Sequence, residues 1–358
     1  MKRLMTLAAV VVVSVAGTSS TPITQDGWVS LFDGKTMNGW QPSENPQSWA
    51  LENGAIVTRG PRSHLFYVGE VANHTFKNFE FAAEVMTTPG SNSGIYIHTK
   101  SEGPGFPPTG YELQVLNTAP PVPAANPNAY VERKMNGSIY AVRNTWTTTV
   151  KDNEWYRYRI RVVGRTIQTY INDVLTCEYT EPENPFRPPD KQLRLLGSGT
   201  FALQAHDPNS VVHYRALRVR VLPDNATSDV PAVTDRELDE LITRLSNDNF
   251  PLIDVGLVTP AGAAAEAFRT ELRRYGITPG TAFPNMSVDR PGAPITVVND
   301  RTEAPDPAAL QKIKASGGKI VFSSGGESRI DEARLKRRLQ AIRAAQLSWQ
   351  DFWVPGQN

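Results

Sequence analysis

At 358 residues with 40% hydrophobic side chains, the chain has enough apolar material for two or three packed domains, and its 28 prolines and 26 glycines imply many turns. A net charge of +1 offers no electrostatic reason to bind nucleic acid or an acidic surface. The only cysteine, Cys177, rules out an internal disulfide, so packed cores must carry the stability.

Residues 1–20 read as an export signal. Lys2 and Arg3 open it, an apolar run follows over 4–16, and small residues place cleavage between Ala16 and Ser20. That run is short for a bilayer span. The expectation is a periplasmic or secreted protein with no membrane span once the signal is removed. No cysteine sits at the cleavage point for a lipid anchor. Cys177 alternates with Leu175 and Tyr179 and reads as a core thiol.

From 27 to 222 the pattern is all β. Strand-like runs fall at 28–32, 49–58, 79–87, 94–99, 111–116, 138–142, 155–163, 166–171, 174–179, 199–205 and 212–221. Gly164-Arg165 and Asn172-Asp173 mark tight hairpins. Short strands at this density argue for a sandwich or barrel of about 200 residues.

Three of these runs carry candidate chemistry. Side chains alternate between the faces of a strand. In Ser93-Gly-Ile-Tyr-Ile-His-Thr99, Tyr96 and His98 should share a face opposite Ile95 and Ile97. In Gly110-Tyr-Glu-Leu-Gln-Val-Leu-Asn117, Glu112 and Gln114 share a face opposite Tyr111, Leu113 and Val115. Gln204 and His206 alternate with Leu203 and Ala205. In one sheet, these residues would put an acid, amides, a phenol and imidazoles on one polar face, a set able to bind a sugar and move a proton. The same alternation is also the ordinary wet face of an antiparallel sheet. Two features favour a site: the bulk of these side chains, and the Gly- and Pro-rich loop 100–109 beside them. His64, after Pro61-Arg62-Ser63, reads as loop or strand start outside the site; His74 sits in a turn and His213 in a structural position. The tryptophans read mainly as core.

A family resemblance rests on landmarks in order. They are Gly27-Trp-Val-Ser-Leu-Phe-Asp-Gly-Lys-Thr36 with Trp40, Asn78-Phe-Glu-Phe, Asn92-Ser-Gly-Ile-Tyr, Gly110-Tyr-Glu-Leu-Gln, Gly137-Ser-Ile-Tyr140, Asn153-Glu-Trp155, and Leu203-Gln204 followed by His206. Over residues 25–222 the chain resembles the 3-keto-disaccharide hydrolase domain family. The resemblance implies an all-β, concanavalin-like jelly-roll sandwich acting on sugars oxidised to a ketone at C3. Such a ketone acidifies the C2 hydrogen; a base removes it, the C1 substituent leaves, and water adds back, for net hydrolysis. On this reading Glu112, His98 and His206 are the catalytic candidates. Gln114, Tyr96, Tyr140, Gln204 and Asn117 are the substrate-binding candidates. Glu112 and His98 are also the candidate ligands of a divalent metal, and no organic cofactor is expected. Two positions depart from the family pattern: His98 stands where many members carry Arg, and Ala205 interrupts the usual Gln-Asp-His run. A carbohydrate-binding or scaffolding sandwich without turnover is the second class of function left open.

Residues 223–233 read as a linker, and 234–358 as a smaller α/β domain. Thr234-Asp-Arg-Glu237 has the form of a capping box opening a helix to Asn247. Strands at 252–258, 295–298 and 319–324 and helices at 260–275, 306–315 and 331–346 follow. The pieces from 293 to 355 resemble the end of a polymerase-and-histidinol-phosphatase (PHP)-type barrel, which implies a partial TIM-barrel-like unit. No histidine follows His213, and Ser323-Ser-Gly-Gly326 stands where metal ligands are expected, so a metal-free packing role and a homo-oligomer formed through this region are the expectations.

Overall fold

The computed structural model describes residues 26–121, 123–126, 129–145, 148–247, 294–300, 302–322, 332–348 and 351–352. The expected export signal, the strand at 252–258, the helix at 260–275, the turn at 323–326 and Trp146 lie outside the described residues.

Among the described residues, thirteen strands fill the first part of the chain: β1 (Val29–Ser30), β2 (Trp40–Pro42), β3 (Trp49–Glu52), β4 (Ala55–Thr58), β5 (Ser63–Tyr67), β6 (Phe79–Thr87), β7 (Ser93–Thr99), β8 (Tyr111–Val115), β9 (Tyr156–Val163), β10 (Thr166–Ile171), β11 (Val174–Thr180), β12 (Thr200–Ala205) and β13 (Val212–Val221). They form two antiparallel sheets. The larger has the order β11-β10-β9-β6-β13-β4-β3, with β1 added on β13; the smaller has the order β2-β5-β12-β7-β8. This is a concanavalin-like jelly-roll sandwich.

Period two explains the core. On β6, Phe79, Phe81, Ala83 and Val85 enter the space between the sheets, while Glu80 and Glu84 of the same strand meet Arg220 and Arg215 of β13. Phe201 of β12 answers from the other sheet, 4.9 Å from Phe79, 4.8 Å from Phe81 and 4.4 Å from Phe76. Such aromatic pairs add roughly 0.5–1.5 kcal/mol each beyond area burial. Cys177 lies in this core, where burial pushes its thiol up to about 12. Asn172 and Asp173 both take positive φ, as the two-residue hairpin requires.

Three expectations need correction. Residues 138–142 form a turn rather than a strand. Ile139 makes only isolated bridges to Leu113 and Arg143, and Ala141 has φ 64°. Strands β2 and β5 were not foreseen. All five residues of β5 are buried, so it shows no polar–apolar alternation to read. Thr234 does not cap the first helix: Asp235 does, accepting from the N–H groups of Glu237 and Leu238, while Thr234 bonds Glu332.

After the sandwich come helices α1 (Arg236–Asn247), α2 (Pro307–Ala315) and α3 (Glu332–Ala344), with strands β14 (Ile295–Val298) and β15 (Lys319–Phe322) paired in parallel. Leu238, Leu241, Ile242 and Leu245 of α1 join Leu310, Ile320, Phe322, Leu335 and Leu339 in a second core. Asp306 caps α2 by accepting from Ala308 N–H.

Candidate active site

Several of the candidate residues meet on the face of the smaller sheet turned away from the shared core. Register sets this up: Tyr96 of β7 pairs with Glu112 of β8 on one side and Ala202 of β12 on the other, and Gln204 pairs with His64 of β5. Gln204 Nε2 donates to Glu112 Oε1 at 3.2 Å and to Tyr96 Oη at 3.1 Å. Arg194 donates from Nη2 to Glu112 Oε2 at 3.3 Å, and its guanidinium lies 5.8 Å from the Tyr96 ring and 5.9 Å from the Tyr140 ring. His64 sets its ring edge-on to Tyr96 at 5.1 Å and to Phe106 at 5.7 Å. Gly94 gives the carboxylate its space: a Cβ there would come within 2.8 Å of Glu112 Oε1.

A second layer stands beside this group. Tyr140 N–H donates to the Glu112 carbonyl at 2.9 Å, and its phenol donates to Glu132 Oε2 at 2.9 Å. Lys134 is buried, bonds Glu132 at 3.2 Å, and lies 5.0 Å from the Tyr140 ring. Loop 100–109 closes the rim. Its Phe106 packs between His64 and His206, and Gly105 N–H is held by Glu44 at 2.9 Å. His206 pairs with Asp207 at 2.8 Å.

Electrostatics follow from burial. His64 is driven down to about 3 mainly by desolvation, so it is a neutral imidazole at neutral pH. Burial, then the Glu112 charge, raises Tyr96 well above the usual phenol value. Burial raises Tyr140 too, with Glu132 adding to it. At Arg194 burial opposes the charge, but Glu112 and Tyr96 outweigh it and the guanidinium is held more firmly protonated. At Glu132 burial likewise opposes ionisation, and the Lys134 charge with the hydrogen bonds from Lys134 N–H, Tyr130 and Tyr140 together outweigh it.

Besides Thr99 Oγ1 at the end of β7, four buried polar atoms of these strands and the Arg194 segment have no hydrogen-bond partner in the protein: His64 Nδ1, Gln114 Oε1, Gln204 Oε1 and Arg194 Nη1. Buried polar groups are ordinarily paired. Acceptors, a donor and an imidazole nitrogen left open around one carboxylate suit a polyhydroxylated ligand.

The sequence candidates divide accordingly. Glu112, Tyr96 and Gln204 come together, with Tyr140 beside them. Gln114 lies one step along β8, donating to Asn92 at 3.0 Å. His206 stands at the rim. His98 does not join them and is corrected: with φ 51° it leaves the alternation and turns toward the core, 5.6 Å from the Phe79 ring. Its Nε2 faces the Lys77 carbonyl at 2.9 Å and its Nδ1 accepts from Gly197 N–H at 3.2 Å. Gly110, at φ 73°, backs onto this kink, where a Cβ would meet the Ile97 carbonyl at 2.1 Å. Asn117 is also structural, tied to Asn136 and the Lys151 carbonyl. The candidate metal ligands do not fit a metal. Both His98 nitrogens are engaged by backbone where the ring turns toward the core, away from Glu112, and Arg194 already supplies the counter-charge of Glu112. Among the described residues, no three His, Cys, Asp or Glu side chains gather as ligands.

Sequence reasoning missed Arg194, Lys134 and Glu132 and set His64 aside. Arg194 and Lys134 come from irregular segments, where no period points a side chain anywhere. His64 could have been found as the alternate neighbour of Phe66 on a strand pairing β12.

The model of the 3-keto-alpha-glucoside-1,2-lyase-like domain matches residues 27–220, more than half of the chain. The chain belongs to this family. A 3-keto-disaccharide hydrolase from Bacteroides thetaiotaomicron is 37% identical over 82 residues. That match spans 21% of this chain and 28% of the relative's length. A protein solved as a candidate glycosyl hydrolase from Parabacteroides distasonis is 20% identical with a TM-score of 0.46, over 57% of this chain and 99% of that one. A carbohydrate-binding module from Bacillus subtilis is 12% identical with a TM-score of 0.33, over 51% and 95%. The fold assignment rests on the two sheets themselves.

Proposed function

We propose that this family member is an exported enzyme that cleaves 3-keto-glycosides at C1 by elimination and hydration. The observation that carries the reading is the open polar set around Glu112: a buried carboxylate beside a guanidinium with one free nitrogen, ringed by unpaired amide and imidazole atoms.

The geometry suits the chemistry. C2 and the C3 oxygen are on adjacent carbons of the sugar, so base and oxyanion partner must also be adjacent. Glu112 takes the C2 proton while Arg194 Nη1 receives the negative charge growing on the C3 oxygen. The electron pair from the C2–H bond forms the C1–C2 double bond as the C1–O bond breaks, and the aglycone leaves as an alcohol after protonation. On this reading the His206–Asp207 pair at the rim supplies that proton and then delivers water to C1, with the proton returning to C2 from Glu112. Gln204, Gln114 and neutral His64 bind the ring hydroxyls.

The test is incubation of the full chain with a chromogenic 3-keto-glucoside and its unoxidised parent, with and without EDTA. Release from the keto compound alone, unchanged by chelation, is expected. Tight binding of the keto compound without release would make the protein a carbohydrate-binding sandwich instead.

A further inference from the structure

We propose that Asp239, beyond the residues the family model matches, is a positioning residue that holds two walls of the Glu112 site, an inference that rests on the proposed activity for its kinetic readout. Helix α1 has two buried faces. Its leucines enter the second core. Asp239, Thr243, Ser246 and Asn247, spaced i, i+4, i+7 and i+8, share the opposite side and meet the sandwich. Asp239, Thr243 and Ser246 are at most 2% exposed, and so is the Arg143 they face.

Asp239 Oδ1 accepts from Arg143 Nη2 at 2.5 Å, and Thr243 Oγ1 from Arg143 Nη1 at 3.0 Å. Ser246 Oγ accepts from Asn144 Nδ2 at 2.7 Å, and Asn247 donates to the Ala141 carbonyl at 3.1 Å. Every one of these bonds lands on the turn at 139–145. That turn holds Tyr140, whose N–H is bonded to the Glu112 carbonyl.

The other oxygen of Asp239 reaches the second wall. Oδ2 accepts from Phe186 N–H at 2.8 Å. The next residue, Arg187, donates from Nη1 to the Phe186 carbonyl and from Nε to the Arg194 carbonyl, each at 2.7 Å. Arg194 then bonds Glu112. One carboxylate thus ties together the phenolic wall and the cationic wall.

A buried carboxylate serving only to hold the fold would be reflected in stability. One that sets the site should change kcat in molecules that remain folded. The experiment is Asp239→Asn in the full chain, with Thr243→Val as a milder second variant that removes one bond and keeps the shape. Steady-state kinetics on the chromogenic 3-keto-glucoside are expected to show kcat lower by roughly 10–100-fold for Asp239→Asn, the scale of a small misplacement of reacting groups, with KM changed far less. Thr243→Val should lower kcat in the same direction by less. Amide hydrogen exchange should quicken at 139–145 and 186–197 and stay unchanged in β6 and β13. Wild-type kcat with wild-type exchange in those two segments would overturn the proposal. So would a uniform loss of protection over both sheets in Asp239→Asn with no local change in Thr243→Val. If the wild type cleaves no 3-keto-glycoside, the proposed activity fails, and the exchange pattern alone still decides whether Asp239 holds the two walls.

Discussion

Tyr111 and Glu112 are neighbours on β8 and face opposite ways, and each meets a buried Glu–Arg pair of a different kind. On the Tyr111 side, Glu181 Oε2 accepts from Tyr111, from Leu196 N–H and from Arg187, and its Oε1 from Arg165. Arg187 in turn bonds two backbone carbonyls and two phenols. No side-chain atom of this pair lacks a partner. On the other side, Glu112 and Arg194 meet through one bond at 3.3 Å, and Arg194 Nη1 is open. The side chains of the two pairs are almost equally buried: 4% and 2% exposed for Glu181 and Arg187, 7% and 5% for Glu112 and Arg194. Burial therefore does not separate structural from functional charge here; saturation does. A saturated buried pair fixes a conformation, whereas an unsaturated one keeps part of its bonding capacity for something else.

The strongest way to break this comparison is to neutralise each glutamate. Glu112→Gln keeps the size and one hydrogen bond, and should lower kcat on a 3-keto-glycoside by about 10³-fold, the scale of a lost general base. Glu181→Gln leaves Arg187 buried without its counter-charge, and should cost about 3–5 kcal/mol of stability in denaturant titrations. Its kcat per folded molecule should fall far less than that of Glu112→Gln. If the two variants exchanged phenotypes, saturation would not be the mark of function in this sandwich.

The comparison also shows what the sequence could and could not disclose. Long half-buried strands such as β6, β10 and β13 were legible because their alternation is carried by the residues themselves. Glu112, Tyr96 and Gln204 were legible for the same reason, since a strand fixes which way each side chain points. His98 was misread because one residue at positive φ reverses the alternation, and a period-two pattern cannot register that. Arg194 was invisible because its direction comes from tertiary bonds, through Arg187 and Asp239, rather than from any local repeat. Residues 138–142 read as a strand because Ile139 and Val142 are apolar core residues, but they bridge β8 only at Leu113 and do not continue the ladder.

His98 gives the third test, since it belongs to the saturated class despite its resemblance to a catalytic residue. Burial holds it down to about 4, against an ordinary imidazole value near 6.5. Between those values the unfolded chain binds a proton that the native chain refuses. Its contribution to stability is therefore full above about pH 6.5 and declines as pH falls toward 4, by on the order of 3 kcal/mol. Asparagine tolerates positive φ, so His98→Asn should fold. Thermal melts from pH 7 to 4 should show a shallower decline for the variant than for the wild type, with His64 adding a slope of the same sign to both. Activity at pH 7 should stay near wild type. A hundredfold loss there would return His98 to the site.

The finest test acts on Glu112 without touching it. Gly94 lies beside the carboxylate, and a Cβ at 94 would sit 2.8 Å from Oε1, 2.9 Å from Cγ and 3.3 Å from Cδ of Glu112. The backbone at Gly94 is ordinary strand, so Gly94→Ala brings no φ penalty and removes unfolded-state freedom. The methyl can be accommodated only if the carboxylate moves, because the sheet on both sides is hydrogen-bonded to β8 and β12. A displaced carboxylate loses its alignment with both Gln204 and Arg194. Stability should fall by about 1–3 kcal/mol, the cost of overpacking a buried side chain, while kcat per folded molecule falls about tenfold with little change in KM. Unaltered kcat in a well-folded Gly94→Ala would mean that the placement of Glu112 is not what the open polar set is built to hold.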